Sequence, residues 1–349
     1  MMSKDNFLPA WWLPNAHFQT IWGAFAKRKI NLPVERERLE LIDGDFLDLD
    51  WVGKAQQGPM IIILHGLGGS IHSPYVRGIA QNLVQVGWRV VVMHFRGCSG
   101  EPNRLARAYH SGETGDLNTV ITCLKQREPQ TPLAVVAYSL GANVLLKYLG
   151  ETPENNPLSA AVAVSVPFVL QKAADHMLQG LARFYQWWLL RDLRQTFKEK
   201  IARMQLPLTL KDAHTFWQFD EQITAPLHGF ASAKEYYEMS SCRAYLSAIA
   251  TPTLILQALD DPLLPASVIP TAEELSPTIM LEVSPQGGHV GFITGRWPWR
   301  AEYWLEKRIN CYLQSQLGRF IKQPALKQEY GLALSLEISF FYDRLAIIL

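Results

Sequence analysis

Leu133-Ala134-Val135-Val136-Ala137-Tyr138-Ser139-Leu140-Gly141-Ala142 is the stretch that decides the fold. Leu133 to Ala137 is a continuous apolar run, long enough for a strand buried on both faces and too short for a helix. Gly141 to Leu149 has helical spacing, so a serine stands at an abrupt strand-to-helix turn. Such a turn lifts the Ser139 Oγ above a sheet edge and needs small neighbours, so that strand and helix can approach. Gly141 meets that need; Ala137 adds one methyl group where Gly is usual and is expected to be tolerated. Ser139 is therefore the candidate nucleophile.

Further buried strands surround this unit. Upstream, Met60 to Leu64 and Trp88 to Met93 are apolar runs separated by a helical pattern over Tyr75 to Val86. Before them, Arg36 to Ile42 and Phe46 to Val52 alternate around Asp43-Gly44-Asp45, as an antiparallel hairpin does. Asp116 is expected to cap a helix reaching Gln126. Downstream come strands at Ala160 to Val166, Thr253 to Ala258 and Ile279 to Val283, then a helix from about Arg300 to Leu317. Strand and helix alternation predicts an α/β fold: a mostly parallel central sheet flanked by helices. With a serine on this turn it is the α/β-hydrolase fold that is expected.

Between Phe168 and Ile249 the strand pattern stops and aromatic-rich helical stretches replace it, which predicts a helical cap insertion over residues 168–249. The core is then residues 1–167 and 250–320, and 321–349 is a C-terminal extension. An apolar acyl pocket under the cap is expected to include Trp187 or Trp188.

A serine hydroxyl needs a base held in one tautomer by a carboxylate, and in this fold the acid and then the histidine follow the nucleophile in sequence. The loop after Thr253 to Ala258 is Leu259-Asp260-Asp261-Pro262-Leu263, so the acid is Asp261 or Asp260, with Asp261 preferred for its position three residues after the small Ala258. His289, flanked by Gly287-Gly288 and Gly291, is the last histidine of the chain and the candidate base. Backbone N–H groups of Leu140 and of Leu67, in His65-Gly66-Leu67-Gly68-Gly69, are the expected oxyanion donors. His65 itself is expected to brace its own loop.

Composition narrows the partners. The 33 Lys+Arg against 32 Asp+Glu give a formal charge of +1, and no basic run is long enough to track a phosphate backbone, which argues against nucleic acid. Cys98, Cys123, Cys242 and Cys311 are too scattered for a metal site or a disulfide framework, and no His-Glu-x-x-His pair occurs, so no metal is expected. The first residues lack a signal-peptide core, and a cytoplasmic location is expected. Leu332 to Leu349 is apolar but interrupted by Glu337, Asp343 and Arg344, so no integral membrane segment is expected, and at most a weak membrane-surface contact.

Longer blocks carry a family resemblance. Asn15-Ala16-His17-Phe18-Gln19-Thr20, Asp43-Gly44-Asp45-Phe46, His65-Gly66-Leu67-Gly68-Gly69-Ser70, His94-Phe95-Arg96-Gly97-Cys98-Ser99-Gly100-Glu101-Pro102-Asn103, Tyr109-His110-Ser111-Gly112-Glu113-Thr114, the Ser139 turn, Asp260-Asp261-Pro262 and Gly287-Gly288-His289-Val290-Gly291-Phe292 together resemble the bacterial YheT-like esterases and their eukaryotic ABHD relatives. The resemblance covers about residues 7 to 318. It implies hydrolysis of short- to medium-chain acyl esters through a Ser, Asp and His relay, with a small-molecule ester as partner and no cofactor. Acyl transfer to an alcohol and a catalytically inactive binding role are the alternatives.

Overall fold

The computed structural model describes residues 7–318 apart from 26, 27, 29 and 155. The expected extension 321–349, with its membrane-surface contact, lies outside the described residues. A first helix, α1 (Ala16–Phe25), precedes the hairpin β1 (Val34–Glu40) and β2 (Phe46–Val52). Then follow β3 (Met60–Leu64), α2 (Pro74–Gln85), β4 (Arg89–Met93), α3 (Gly115–Arg127), β5 (Leu133–Tyr138), α4 (Leu140–Glu151) and β6 (Ala160–Val164). From there the chain is helical: α5 (Leu170–His176), α6 (Ala182–Met204), α7 (Phe216–Phe219), a π turn over Asp220–Thr224, α8 (Ala225–His228), α9 (Ala233–Ser240) and a 3-10 helix over Cys242–Ala248. β7 (Thr253–Ala258), β8 (Ile279–Ser284), a two-residue pair β9 (Ile293–Thr294) and β10 (Glu302–Tyr303), and α10 (Trp304–Leu317) complete the described chain.

The eight-stranded sheet has the order β1-β2-β4-β3-β5-β6-β7-β8. Only the β1/β2 and β2/β4 pairs are antiparallel; the other five are parallel. Every residue of β3, β4, β5, β6 and β7 is buried, because helices cover both faces. The strand pleat sorts their side chains by parity. Ile62, Val91, Val135, Ala161 and Ile255 face α3 and α4, whereas Ile61, Ile63, Val90, Val136, Val162 and Leu254 face α2 and α10. Removing one methylene from such a position, as in Ile62→Val, costs about 1 kcal/mol.

The chain runs from β3 to β4 in one direction and then crosses back to place β5 on the other side of β3. The carboxyl ends of β3 and β5 thus flank the point where strand order reverses, the crevice in which open α/β sheets bind ligands. His65-Gly66-Leu67 and Ser139 leave the sheet at that crevice.

Two sequence-based expectations change. Asp116 is not a cap: Thr114 precedes α3, and Asp116 lies buried in its first turn. Its carboxylate takes both Nε and Nη2 of Arg96 (2.8 and 2.7 Å), and Arg96 Nη1 bonds Asp43 and Asp45 of the β1/β2 turn (2.8 and 3.0 Å). A buried guanidinium outcompetes the local capping bond. The last helix begins at Trp304 rather than near Arg300, because Glu302-Tyr303 pairs with β9 first.

Candidate active site

Ser139 has φ 51° and ψ −120°, a conformation that L residues rarely adopt. The turn is kept by its surroundings. The Ser139 N–H donates to Val164 O (2.9 Å), and α4 starts at the next residue. A Cβ on Gly141 would stand 2.5 Å from His65 O and 2.9 Å from Leu64 Cβ, so only glycine lets α4 approach β3 this closely. Ala137 is fully buried opposite Leu64 and Ala163, and the short Ala163 leaves room for its methyl group.

The loop after β7 and the loop after β8 bring the other candidates to this turn. His289 Nε2 lies 3.0 Å from Ser139 Oγ, and His289 Nδ1 lies 2.8 Å from Asp261 Oδ2. Asp261 is 4% exposed, and its second oxygen accepts the Leu263 N–H (2.9 Å). Asp260 points elsewhere: it accepts the Gly288 N–H at 2.9 Å, and burial followed by the neighbouring Asp261 charge raises its pKa. Of the adjacent pair, then, it is Asp261 that meets the imidazole. With Nδ1–H donating to a carboxylate, Nε2 is left as the acceptor of the serine proton.

The N–H groups of Leu67 and Leu140 have no protein acceptor among the described residues. Both residues line a cavity of about 130 Å³ with Ser139 and His289. The loop that carries Leu67 is held from behind: Gly66 N–H donates to Tyr75 OH (2.9 Å) and Gly68 N–H to Tyr109 OH (3.0 Å). His65 Nδ1 donates to Gly66 O (2.7 Å), so its Nε2 is free to accept the Phe95 N–H (3.3 Å). Burial pushes the His65 imidazole down to about 3, which keeps this neutral tautomer. His65 thus braces the loop, and among the described residues no group of three His, Cys, Asp or Glu side chains is arranged to hold a metal ion.

Sequence reasoning missed the residues that fix His289. The His289 N–H donates to Thr20 Oγ1 (2.8 Å), which donates in turn to Ala16 O (2.8 Å). Gln19 spans the next turn, accepting the Ile293 N–H (2.7 Å) and donating to Ile293 O (3.0 Å). A Cβ on Gly288 would lie 2.5 Å from Ala16 O, so α1 sits directly on the loop. Ser165, itself at φ 53°, accepts the Val290 N–H at 3.2 Å. The block Asn15 to Thr20 offered no local signal for this role, because its partners are some 270 positions away.

A second cavity, of about 380 Å³, reaches Ser139 and His289 from the other side. α1 lines it with Ile21 and Ala24, and α6 with Phe184, Tyr185, Trp188 and Leu189. Trp187, in contrast, is 58% exposed and turned away. In the smaller cavity one polar group stands out: Asp220, on the π turn, accepts hydrogen bonds from Thr224 and Tyr237 (both 2.6 Å), and burial pushes its carboxyl up to about 6.

A sequence-family model described as the alpha/beta hydrolase fold matches residues 59–296, the span that holds the sheet from β3 onward and all of the candidate residues. The chain belongs to this family. As an α/β hydrolase it is 42% identical to the Escherichia coli (strain K12) protein named "Putative esterase YheT", over 90% of this chain and 95% of that one. It is 28% identical to the mouse protein named "Phospholipase ABHD3", over 90% of this chain and 79% of that one. A solved esterase of Pyrococcus furiosus, Pf2001, shares the fold with a TM-score of 0.57 at 19% identity, over 85% of this chain and 95% of that one. Among the described residues no helix is long and apolar enough to cross a membrane.

Proposed function

We propose that this α/β hydrolase cleaves carboxylic esters of short to medium acyl chain length through an acyl-enzyme on Ser139. The observation that carries the reading is the continuous set of contacts Ser139 Oγ to His289 Nε2 (3.0 Å) and His289 Nδ1 to Asp261 (2.8 Å). It ends beside the two unused N–H groups of Leu67 and Leu140.

In this mechanism Ser139 Oγ attacks the ester carbonyl while its proton passes to His289 Nε2. Asp261 stabilises the imidazolium and holds the ring. The carbonyl oxygen, now negative, takes hydrogen bonds from the Leu67 and Leu140 N–H groups, which no protein acceptor occupies among the described residues. Collapse expels the alcohol, protonated by His289. Water then enters and attacks the acyl carbon while giving a proton to the same nitrogen; the bond to Ser139 Oγ breaks, Oγ takes that proton back from His289, and the acid leaves. No step needs a cofactor.

We assign the helical residues 168–249 as a cap over this site, since α6 supplies walls to both cavities at Ser139 and α5 and the π turn to the smaller one. Trp188 rather than Trp187 is the pocket wall. Acyl transfer to an alcohol is the second reading, favoured by the apolar lining, which disfavours water in the deacylation step. Product analysis of graded p-nitrophenyl esters, with and without an alcohol acceptor, tests both readings. Hydrolysis lost in Ser139→Ala supports the assignment, a new ester as main product favours transfer, and turnover retained in Ser139→Ala contradicts both.

A further inference from the structure

Large apolar side chains scattered singly over a surface are ordinary, but a cluster at the mouth of a cavity is not. Here Phe18 and Ile21, one turn apart on α1, are 52% and 40% exposed, and Leu181, Phe184 and Trp187 are 67%, 57% and 58% exposed at the start of α6. They form one rim. Ile21 and Phe184 line the cavity that ends at Ser139 and His289, the Phe184 N–H donates to Leu181 O, and the Phe184 ring lies 6.0 Å from that of Trp187.

The rim is also basic. Arg183 and Arg191 are exposed beside it, with the Arg191 guanidinium 6.0 Å from the Trp187 ring. Arg194 and Lys198 share a surface groove with Trp187 and Arg191, while Arg191 also bonds Asp192 (2.8 Å). Apolar side chains edged by cations match a lipid layer with anionic headgroups, where rings insert at the acyl boundary and cations meet the headgroups.

We infer that this rim docks on an anionic lipid surface, so that ester substrates enter the cavity from a lipid phase. The purpose assigned to the docking rests on the ester-hydrolase reading; the docking itself does not. A protein seated on the rim would close the cavity mouth, whereas a lipid layer presents its contents to it. Esters apolar enough to fill a cavity walled by Ile21, Phe184, Tyr185, Trp188 and Leu189 partition into such layers. α1 serves both ends, its Phe18 and Ile21 facing the surface while Gln19 and Thr20 grip the His289 loop.

The test is flotation of the full chain carrying Ser139→Ala, so that no vesicle lipid is consumed. One set of vesicles is phosphatidylcholine with an equal part of phosphatidylglycerol, and the other is phosphatidylcholine alone. Binding is expected to the mixed vesicles and to be weaker without phosphatidylglycerol. Leu181→Ser with Trp187→Ser, neither residue lining the cavities at Ser139, should weaken it about tenfold or more. In the chain with Ser139 intact, the same pair should leave kcat/KM for a dissolved short-chain ester unchanged, which also reports correct folding. Arg183→Glu with Arg191→Glu should weaken binding to the mixed vesicles only. Binding undiminished by the Leu181 and Trp187 replacements would place the contact elsewhere and overturn the proposal, as would absence of binding to both vesicles or a rim-dependent dimer without vesicle binding. Vesicle binding in a chain that hydrolyses no ester would uphold the docking and defeat the ester reading alone.

Discussion

The turn that carries Ser139 and the loop that carries His289 are built by opposite means. Ser139 is placed by its own neighbours in sequence: a buried strand before it, a helix directly after it, and a glycine two positions on that lets the helix meet β3. His289 is placed from a distance, by Thr20 and Gln19 on a helix nearly the whole chain away, by Ser165 after β6 and by Asp260 and Asp261 after β7. The strained turn at Ser139 can thus be specified locally, whereas His289 is held only once the sheet, α1 and the β8 loop have come together.

Removing either end of the relay should erase the distinction. Ser139→Ala and His289→Ala are each expected to lower kcat at least about a thousandfold with little change in stability, and the double variant to be no worse than either single one. Rates and melting temperatures measured together check this. The two aspartates separate next: Asp261→Asn should cost about a hundredfold or more in kcat, because the ring loses the partner that fixes its tautomer. Asp260→Asn, which only loosens the Gly288 turn, should cost about tenfold or less.

Thr20→Val removes the distant support of His289: it is isosteric, so the hydroxyl is lost while the cavity wall to which Thr20 contributes keeps its shape. It leaves the half-buried His289 N–H without its acceptor, at a cost of about 1 kcal/mol. The expected outcome is a fall in kcat of about tenfold with KM nearly unchanged, while Ser139 keeps its turn. Equal losses in KM and kcat would point instead to a collapsed cavity wall.

The smallest effect concerns pH. Burial lowers the His65 imidazole to about 3, and burial with the neighbouring His228 lowers His110 to about 3, against an ordinary value near 6.5. Both stay neutral in the fold and take up protons on unfolding, so their stabilisation is complete above about pH 6.5 and is lost as pH falls toward 3, by roughly 1 kcal/mol per pH unit for each. Asp220, raised to about 6 by burial, acts in the opposite sense and adds stability as pH falls below that value. Burial lowers His228 in the same sense and raises Asp260 and Glu306 in the sense of Asp220. Histidines of the unfolded chain, however, charge from about 6.5 downward, ahead of the carboxyls, so the melting temperature should drop between pH 7 and pH 5, and His110→Asn should reduce that drop.

The same contrast explains how much was legible in the residues alone. The runs at Met60 to Leu64, Leu133 to Ala137 and Thr253 to Ala258 appear as central strands, because burial on both faces leaves mostly apolar residues to read. Ser139 was legible for the same local reason. The choice between Asp260 and Asp261 was not, since both precede Pro262 and only the path of the β8 loop decides which carboxylate meets the ring. Thr20, Gln19 and Ser165 had no signal within their own segments. Trp187 and Trp188, adjacent on one helix, are parted by about 100° of rotation, so one walls the cavity and the other faces outward.

Everything turns on whether the Ser139 hydroxyl is activated by His289. The direct measurement is labelling by a fluorophosphonate, followed by peptide mass mapping and by its rate in His289→Ala. One adduct per chain is expected, on Ser139, formed orders of magnitude more slowly without the imidazole. An adduct on another residue, or equally fast labelling of Ser139 in His289→Ala, would contradict that activation.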